Sequence, residues 1–92
     1  LAEEGLRGIL QYMYYVYLLS SRNEPQKRYV GFTHDLKTRI ASHNAGQNTS
    51  TAAHRPWDIA GYFAFPTEQK ALAFEKYLKS GSGKTFAKRH FL

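Results

Sequence analysis

Apolar positions along this chain come in short blocks separated by polar stretches, and their spacing changes from block to block. The first block, Met13 to Ser20, is almost unbroken, with Tyr14, Tyr15, Val16 and Tyr17 leading into Leu18 and Leu19. Aromatic and β-branched residues favour strands, and the absence of polar alternation predicts a central strand covered on both faces. A polar loop from Ser21 to Lys27 leads into a second strand, Arg28 to Phe32. So short a connection makes the two an antiparallel hairpin. Gly31 is expected to end the second strand. Thr33 is the expected N-cap of a helix with Asp35 in its first turn, where the dipole favours an acid. That helix runs to about Ala45, and Gly46 stops it. Its apolar seam is Leu36 and Ile40, with Ala41 at the edge. Arg39 and His43 border the seam, and at i and i+4 they emerge from one face.

Gln47 to Pro56 reads as a polar loop with a mobile tip. Trp57 to Phe65 is a third strand in which Ile59 should face opposite to Tyr62 and Gly61 marks a bulge or a close backbone approach. Thr67 caps a second helix, Glu68 to about Ser80, which Gly81 ends. Ala71, Phe74, Glu75 and Leu78 share one of its faces at the i, i+3, i+4, i+7 spacing. A carboxylate beside a core stripe is costly unless it meets a cation, solvent or a metal. For Glu75 the spacing leaves open an ion pair with an arginine such as Arg39, an escape to solvent, and metal binding. Gly83 to His90 forms a last, basic helix. The order β-β-α-β-α-α predicts an α+β domain over residues 13–92, a small three-stranded antiparallel sheet flanked by helices. Residues 1–12 are set apart as an N-terminal extension, loosely ordered or a short helix, with Met13 a candidate start.

The composition narrows the function classes. The 92 residues make one domain, with seven Tyr and six Phe to supply much of its core. The chain has no cysteine, which removes disulfides and thiolate metal sites and fits a cytoplasmic location. No run is long enough to span a bilayer, and no signal peptide is visible. The net charge of +6 favours a polyanionic partner, nucleic acid before membrane. Gly81-Ser82-Gly83-Lys84-Thr85 imitates a phosphate-binding loop, but Leu78 stands where that loop needs a glycine and a helix precedes it instead of a strand. The four histidines show no tight pairing suited to zinc.

Tyr17, Tyr29, Arg39 and His43 are each ordinary alone, but a strand–turn–helix brings them to one rim. Tyr15-Val16-Tyr17, followed by Tyr29-Val30-Gly31, resembles the paired motifs that name the GIY-YIG nucleases. Arg39 in the next helix and Glu75 in a later one match the family's arginine and glutamate in order and spacing. The Arg39/His43-Asn44 pattern and the run from Phe74 to Lys79 are most similar to small stand-alone bacterial members. Those resemble the N-terminal nuclease domain of the bacterial excision-repair incision protein. The likeness covers residues 13–92. The chain departs from the pattern at Tyr15 for the first glycine, at Val16 and Val30 for isoleucine, at Phe32, and in having no asparagine beyond Glu75.

The resemblance implies a metal-dependent endonuclease that cuts DNA, with DNA repair among its settings. Glu75 would bind one divalent cation, Mg²⁺ or Mn²⁺, hard ions suited to a carboxylate. Arg39 would hold the phosphate. Tyr17, with Tyr29, would position or deprotonate the attacking water, its phenol lowered in pKa by a nearby cation or metal. His43 would take that proton onward or hydrogen-bond a tyrosine. Gly31 would permit close packing at the strand-to-helix turn. Lys37, Lys79, Lys84, Lys88 and Arg89 would give salt-sensitive phosphate binding without sequence readout. No small-molecule cofactor and no membrane are expected, and the sequence does not separate DNA from RNA or set an oligomeric state. A non-cleaving nucleic-acid binder and a protein-interaction scaffold on the same fold are the alternatives.

Overall fold

The computed structural model describes residues 12–92, so the expected N-terminal extension lies, apart from Tyr12, outside the described residues. Strand β1 (Tyr14–Ser21) is central in a three-stranded antiparallel sheet, with β2 (Arg28–Thr33) and β3 (Trp57–Phe65) on either side. The helices are α1 (Leu36–Asn44), α2 (Glu68–Leu78) and α3 (Gly81–His90), and one 3₁₀ turn spans Ala52–His54. The observed order is the one the apolar blocks predict.

Both faces of β1 are covered, as its continuous apolar run requires. Tyr17, Leu19 and Trp57 form a buried cluster with Tyr29, Leu36 and Ile40 packed against it, which places α1 on this face. Val16 and Leu18 point the other way, into a cluster with Ala71, Leu78 and Ala87 from α2 and α3. Aromatic rings fill the remaining space, with Phe63 and Phe74 at 4.6 Å between centroids. Each fully buried Leu or Val contributes about 1.5–3 kcal/mol, so a short strand can anchor two layers. Phe32, where the family pattern differs, stacks on Tyr14 on this second face.

Four local expectations change. Asp35, not Thr33, caps α1, accepting from the Thr38 N–H at 3.2 Å, while Thr33 Oγ1 accepts from the Asp35 N–H at 3.0 Å in the preceding turn. Helix α2 starts at the expected cap, Thr67, but stops at Leu78, and Ser80 caps α3, so Gly81 opens a helix instead of closing one. The imitation phosphate loop is therefore helical from its first residue. In β3 the register steps from Leu18↔Gly61 to Leu19↔Ile59, leaving Ala60 as a bulge. The extra residue reverses the alternation, so Ile59 and Tyr62 fall on the same face, opposite Leu19 and Tyr17, contrary to expectation. Gly61 also meets a close approach, since a Cβ there would lie 2.7 Å from the Phe91 ring. Gly31 lies inside β2, paired with Tyr17, and does not end the strand. Gly46 does follow α1 as a stop, at a φ of 78°.

Candidate active site

The hairpin and the turn into α1 place four side chains together. Tyr17 and Tyr29 sit on adjacent strands with ring centroids 6.2 Å apart. Leu36, Ile40 and His43 follow i, i+4, i+7 on α1, so His43 is the third member of the inward stripe, not a residue at its border. It is fully buried, while Ala41 is exposed. The His43 ring packs edge-on to Tyr29 at 4.9 Å and to Tyr17 at 5.7 Å. The Tyr17 oxygen lies 2.8 Å from His43 Nε2 and accepts from Arg39 Nε at 3.2 Å. On the far side of the ring, His43 Nδ1 is 2.8 Å from Thr51 Oγ1. Tyr17, His43 and Thr51 are closed to solvent, whereas Tyr29 and Arg39 are half-buried.

The loop after α1 is fastened to this cluster. The Trp57 indole N–H donates to the Thr51 carbonyl at 2.8 Å. Asn44 makes two bonds to the Trp57 backbone, at 2.6 and 3.1 Å, joining the end of α1 to the start of β3. The middle of a loop read as a free tip thus carries a buried side chain.

Charge in the site is set by burial first. Burial raises the Tyr17 pKa above the phenol's ordinary value, and the hydrogen bond from Arg39 offsets this only in part. Tyr17 therefore stays protonated at rest. The negative charge of Glu75 acts on the same phenol and raises it slightly further. Arg39 is held as a cation chiefly by its hydrogen bond to Tyr17, with Tyr29 adding to the effect. For His43, burial and then the Arg39 charge lower the pKa below its ordinary 6.5, keeping the imidazole neutral at pH 7.

That shift has a sign in stability. Below pH 6.5 the unfolded chain gains a proton at His43 that the folded chain refuses. The stabilising contribution is complete above 6.5 and is lost as pH falls toward the folded value. Thermal unfolding of the wild type is therefore expected to show a midpoint that falls below about pH 6.5 more steeply than in His43→Gln. Equal slopes in the two proteins would remove His43 from the account.

Glu75 shares the inner face of α2 with Ala71, Phe74 and Leu78, as its spacing predicts. Its side chain is 20% exposed and its Oε2 meets Lys79 Nζ at 3.3 Å one turn on, so the cation it pairs with is Lys79 and not Arg39. Among the described residues no three ligating side chains converge on one point. A single half-buried carboxylate does not make a protein cage. It suits a hydrated hard cation that completes its shell with water and phosphate oxygens, which is how Mg²⁺ is usually held.

A sequence model of the GIY-YIG catalytic domain matches residues 13–89. The chain belongs to the GIY-YIG family. It is 34% identical over 74 residues to a UPF0213 protein of Pediococcus acidilactici, covering 77% of this chain and 74% of that one. It is 35% identical over 80 residues to a structure-specific endonuclease subunit SLX1 homolog of Caenorhabditis briggsae, covering 77% of this chain but only 18% of that protein. The solution structure of a UPF0213 protein from Bacillus halodurans superposes with a TM-score of 0.52 at 26% identity, covering 86% of each chain. The order of strands and helices here is thus that of a GIY-YIG domain.

A groove of about 440 Å³ is lined by Leu18, Leu19, Val30 and Leu78, Leu18 and Leu78 belonging to the face of the sheet covered by α2 and α3. Tyr29 also lines it, together with Arg28, Lys79, Lys84 and Lys88. Three of the five predicted phosphate contacts are therefore gathered at one place. Lys37 and Arg89 are exposed and lie outside that lining. Arg28 was not singled out in the sequence, although it directly precedes the Tyr29 motif. Among the described residues no helix is long and apolar enough to cross a membrane.

Proposed function

We propose that this GIY-YIG domain is a divalent-metal-dependent endonuclease that hydrolyses phosphodiester bonds in DNA with little sequence preference. The observation that carries this reading is the fastening of Arg39 to the buried Tyr17–His43 pair, with Glu75 close enough to act on the same phenol. Arg39 spends its Nε on Tyr17 and also interacts with Tyr29, and its remaining terminal N–H groups would serve phosphate oxygens and the charge that grows on them. Glu75 would hold the cation, which supplies Lewis-acid polarisation of the phosphate when bound. Tyr29, the less buried phenol, would orient the attacking water. Tyr17 lies behind it, protonated, and holds Arg39. Attack forms one phosphorus–oxygen bond and breaks another, and the water gives up a proton. Neutral His43, hydrogen-bonded to the Tyr17 hydroxyl, would be the base that takes a proton from that phenol.

Low sequence preference is supported by a groove lined by cations, which can grip phosphates without reading base edges. The similarity to a structure-specific endonuclease subunit SLX1 homolog supports the reaction class. The test is cleavage of end-labelled duplex, single-stranded and branched DNA, and of RNA, with Mg²⁺ or Mn²⁺ and with EDTA. Cutting in metal that stops in EDTA supports the nuclease. Salt-sensitive binding with no turnover in either metal leaves a nucleic-acid binder instead.

A further inference from the structure

We propose that Thr51, in the loop between α1 and β3, is a positioning residue that fixes His43 as its Nδ1–H tautomer, so that the Tyr17 hydroxyl is turned toward His43 Nε2. The consequence for catalysis rests on the nuclease reading above, but the tautomer does not.

Both ends of the hydrogen-bond chain require the same direction. At one end stands Arg39, whose guanidinium can only donate. Its Nε–H is given to the Tyr17 oxygen at 3.2 Å. Among the described residues, the Tyr17 hydroxyl has one other hydrogen-bond partner, His43 Nε2 at 2.8 Å. Were Nε2 also a donor, the Tyr17 proton would be left in a fully buried place without an acceptor, a costly arrangement. Nε2 is therefore the acceptor. At the other end, Thr51 Oγ1 donates to the Asn48 carbonyl at 3.3 Å, and a carbonyl can only accept. The Thr51 oxygen then receives from His43 Nδ1–H at 2.8 Å. A neutral imidazole carries one N–H, and both ends place it on Nδ1.

Thr51 is fitted for this task. It is 1% exposed, its backbone carbonyl is held by the Trp57 indole at 2.8 Å, and its hydroxyl is held between His43 Nδ1 and the Asn48 carbonyl. The loop thereby sets which way a proton can move at Tyr17. With the Nδ1–H tautomer, Tyr17 offers its oxygen to Arg39 and its proton to His43. With the Nε2–H tautomer, His43 could take no proton from Tyr17, and Arg39 would compete with it for the same oxygen. Fixing a ring through its second nitrogen is a general way of controlling the first.

The experiment is long-range ¹⁵N–¹H correlation of the His43 ring in the labelled full chain near neutral pH, for wild type, Thr51→Val and Thr51→Ser. The wild type should show hydrogen on Nδ1 and a bare Nε2. Thr51→Val, nearly the same shape without the hydroxyl, should move the population toward Nε2–H, and Thr51→Ser should restore the wild-type pattern. A wild type protonated at Nε2 overturns the proposal without any variant having to fold. So does a folded Thr51→Val protein that keeps Nδ1–H. In single-turnover DNA cleavage, Thr51→Val should be slower by at least about tenfold and Thr51→Ser within about threefold of wild type. If Thr51→Val shifts the tautomer yet cuts at the full rate, the positioning role fails while the nuclease stands. If the wild type cuts nothing, the nuclease reading fails, and the ring spectra still decide the tautomer.

Discussion

Glu75→Ala is expected to slow DNA cleavage by about 10³-fold or more while leaving the fold intact. The size comes from the several kcal/mol of charge stabilisation that a bound cation supplies, at about tenfold in rate per 1.4 kcal/mol. The fold should survive because the side chain is 20% exposed and its ion-pair partner is the exposed Lys79 one helical turn away. Pairs of that kind contribute at most about 0.5 kcal/mol. The unfolding midpoint should then move by no more than about 4 °C in a domain of this size. Chelation of wild type with EDTA should give the same loss as the substitution, and adding EDTA to Glu75→Ala should change nothing further. A Glu75→Ala protein that still cuts with the wild-type dependence on Mg²⁺ would place the metal elsewhere. Equal trace activity in both proteins would point to a contaminant and favour the non-cleaving reading.

The features that the sequence made legible are those governed by local periodicity. The unbroken run at Val16–Leu19 marks a strand buried on both faces, and the short loop to Arg28 dictates a hairpin. The strand–turn–helix then leaves little choice about bringing Tyr17, Tyr29, Arg39 and His43 together. Glu75 was visible for the same reason, as a carboxylate on an apolar helical face. The depth of His43 was also encoded, in the spacing of Leu36, Ile40 and His43, but a histidine at i+7 reads as a border residue until the ring proves to have two partners. Thr51 gave no such signal. Its importance comes from contacts with His43 and Trp57 across a turn of irregular chain, and loop composition does not encode which hydroxyl will be buried. Gly61 signalled a bulge in β3, which falls one residue earlier, at Ala60, but its effect on Ile59 was hidden, because one extra residue reverses side-chain direction without changing hydrophobicity. The boundary between α2 and α3 was misplaced because Gly81 is an ordinary stop signal, whereas Ser80 captured the Gly83 N–H and started the next helix first.

Gly31→Ala should damage both stability and cleavage, for a reason that lies in space and not in backbone freedom. Gly46 is the glycine at positive φ among the described residues, so alanine at position 31 meets no conformational penalty of that kind. What it meets is Tyr17, since a Cβ at position 31 would lie 2.3 Å from the Tyr17 oxygen and 2.4 Å from Cζ. Elsewhere the tip of a side chain could move aside cheaply. Here the oxygen is bound to both His43 and Arg39, and the ring is fully buried, so yielding means breaking those bonds. Overpacking of this kind costs about 1–3 kcal/mol, measurable by urea unfolding. Cleavage should fall by about 10²-fold or more, because an Arg39 released from Tyr17 no longer presents its terminal nitrogens in one place. The two losses share a cause, so the effects of Gly31→Ala and Tyr17→Leu should not add: once the phenol is gone, alanine at position 31 should cost far less. Full additivity in that cycle would mean that the glycine serves something other than Tyr17.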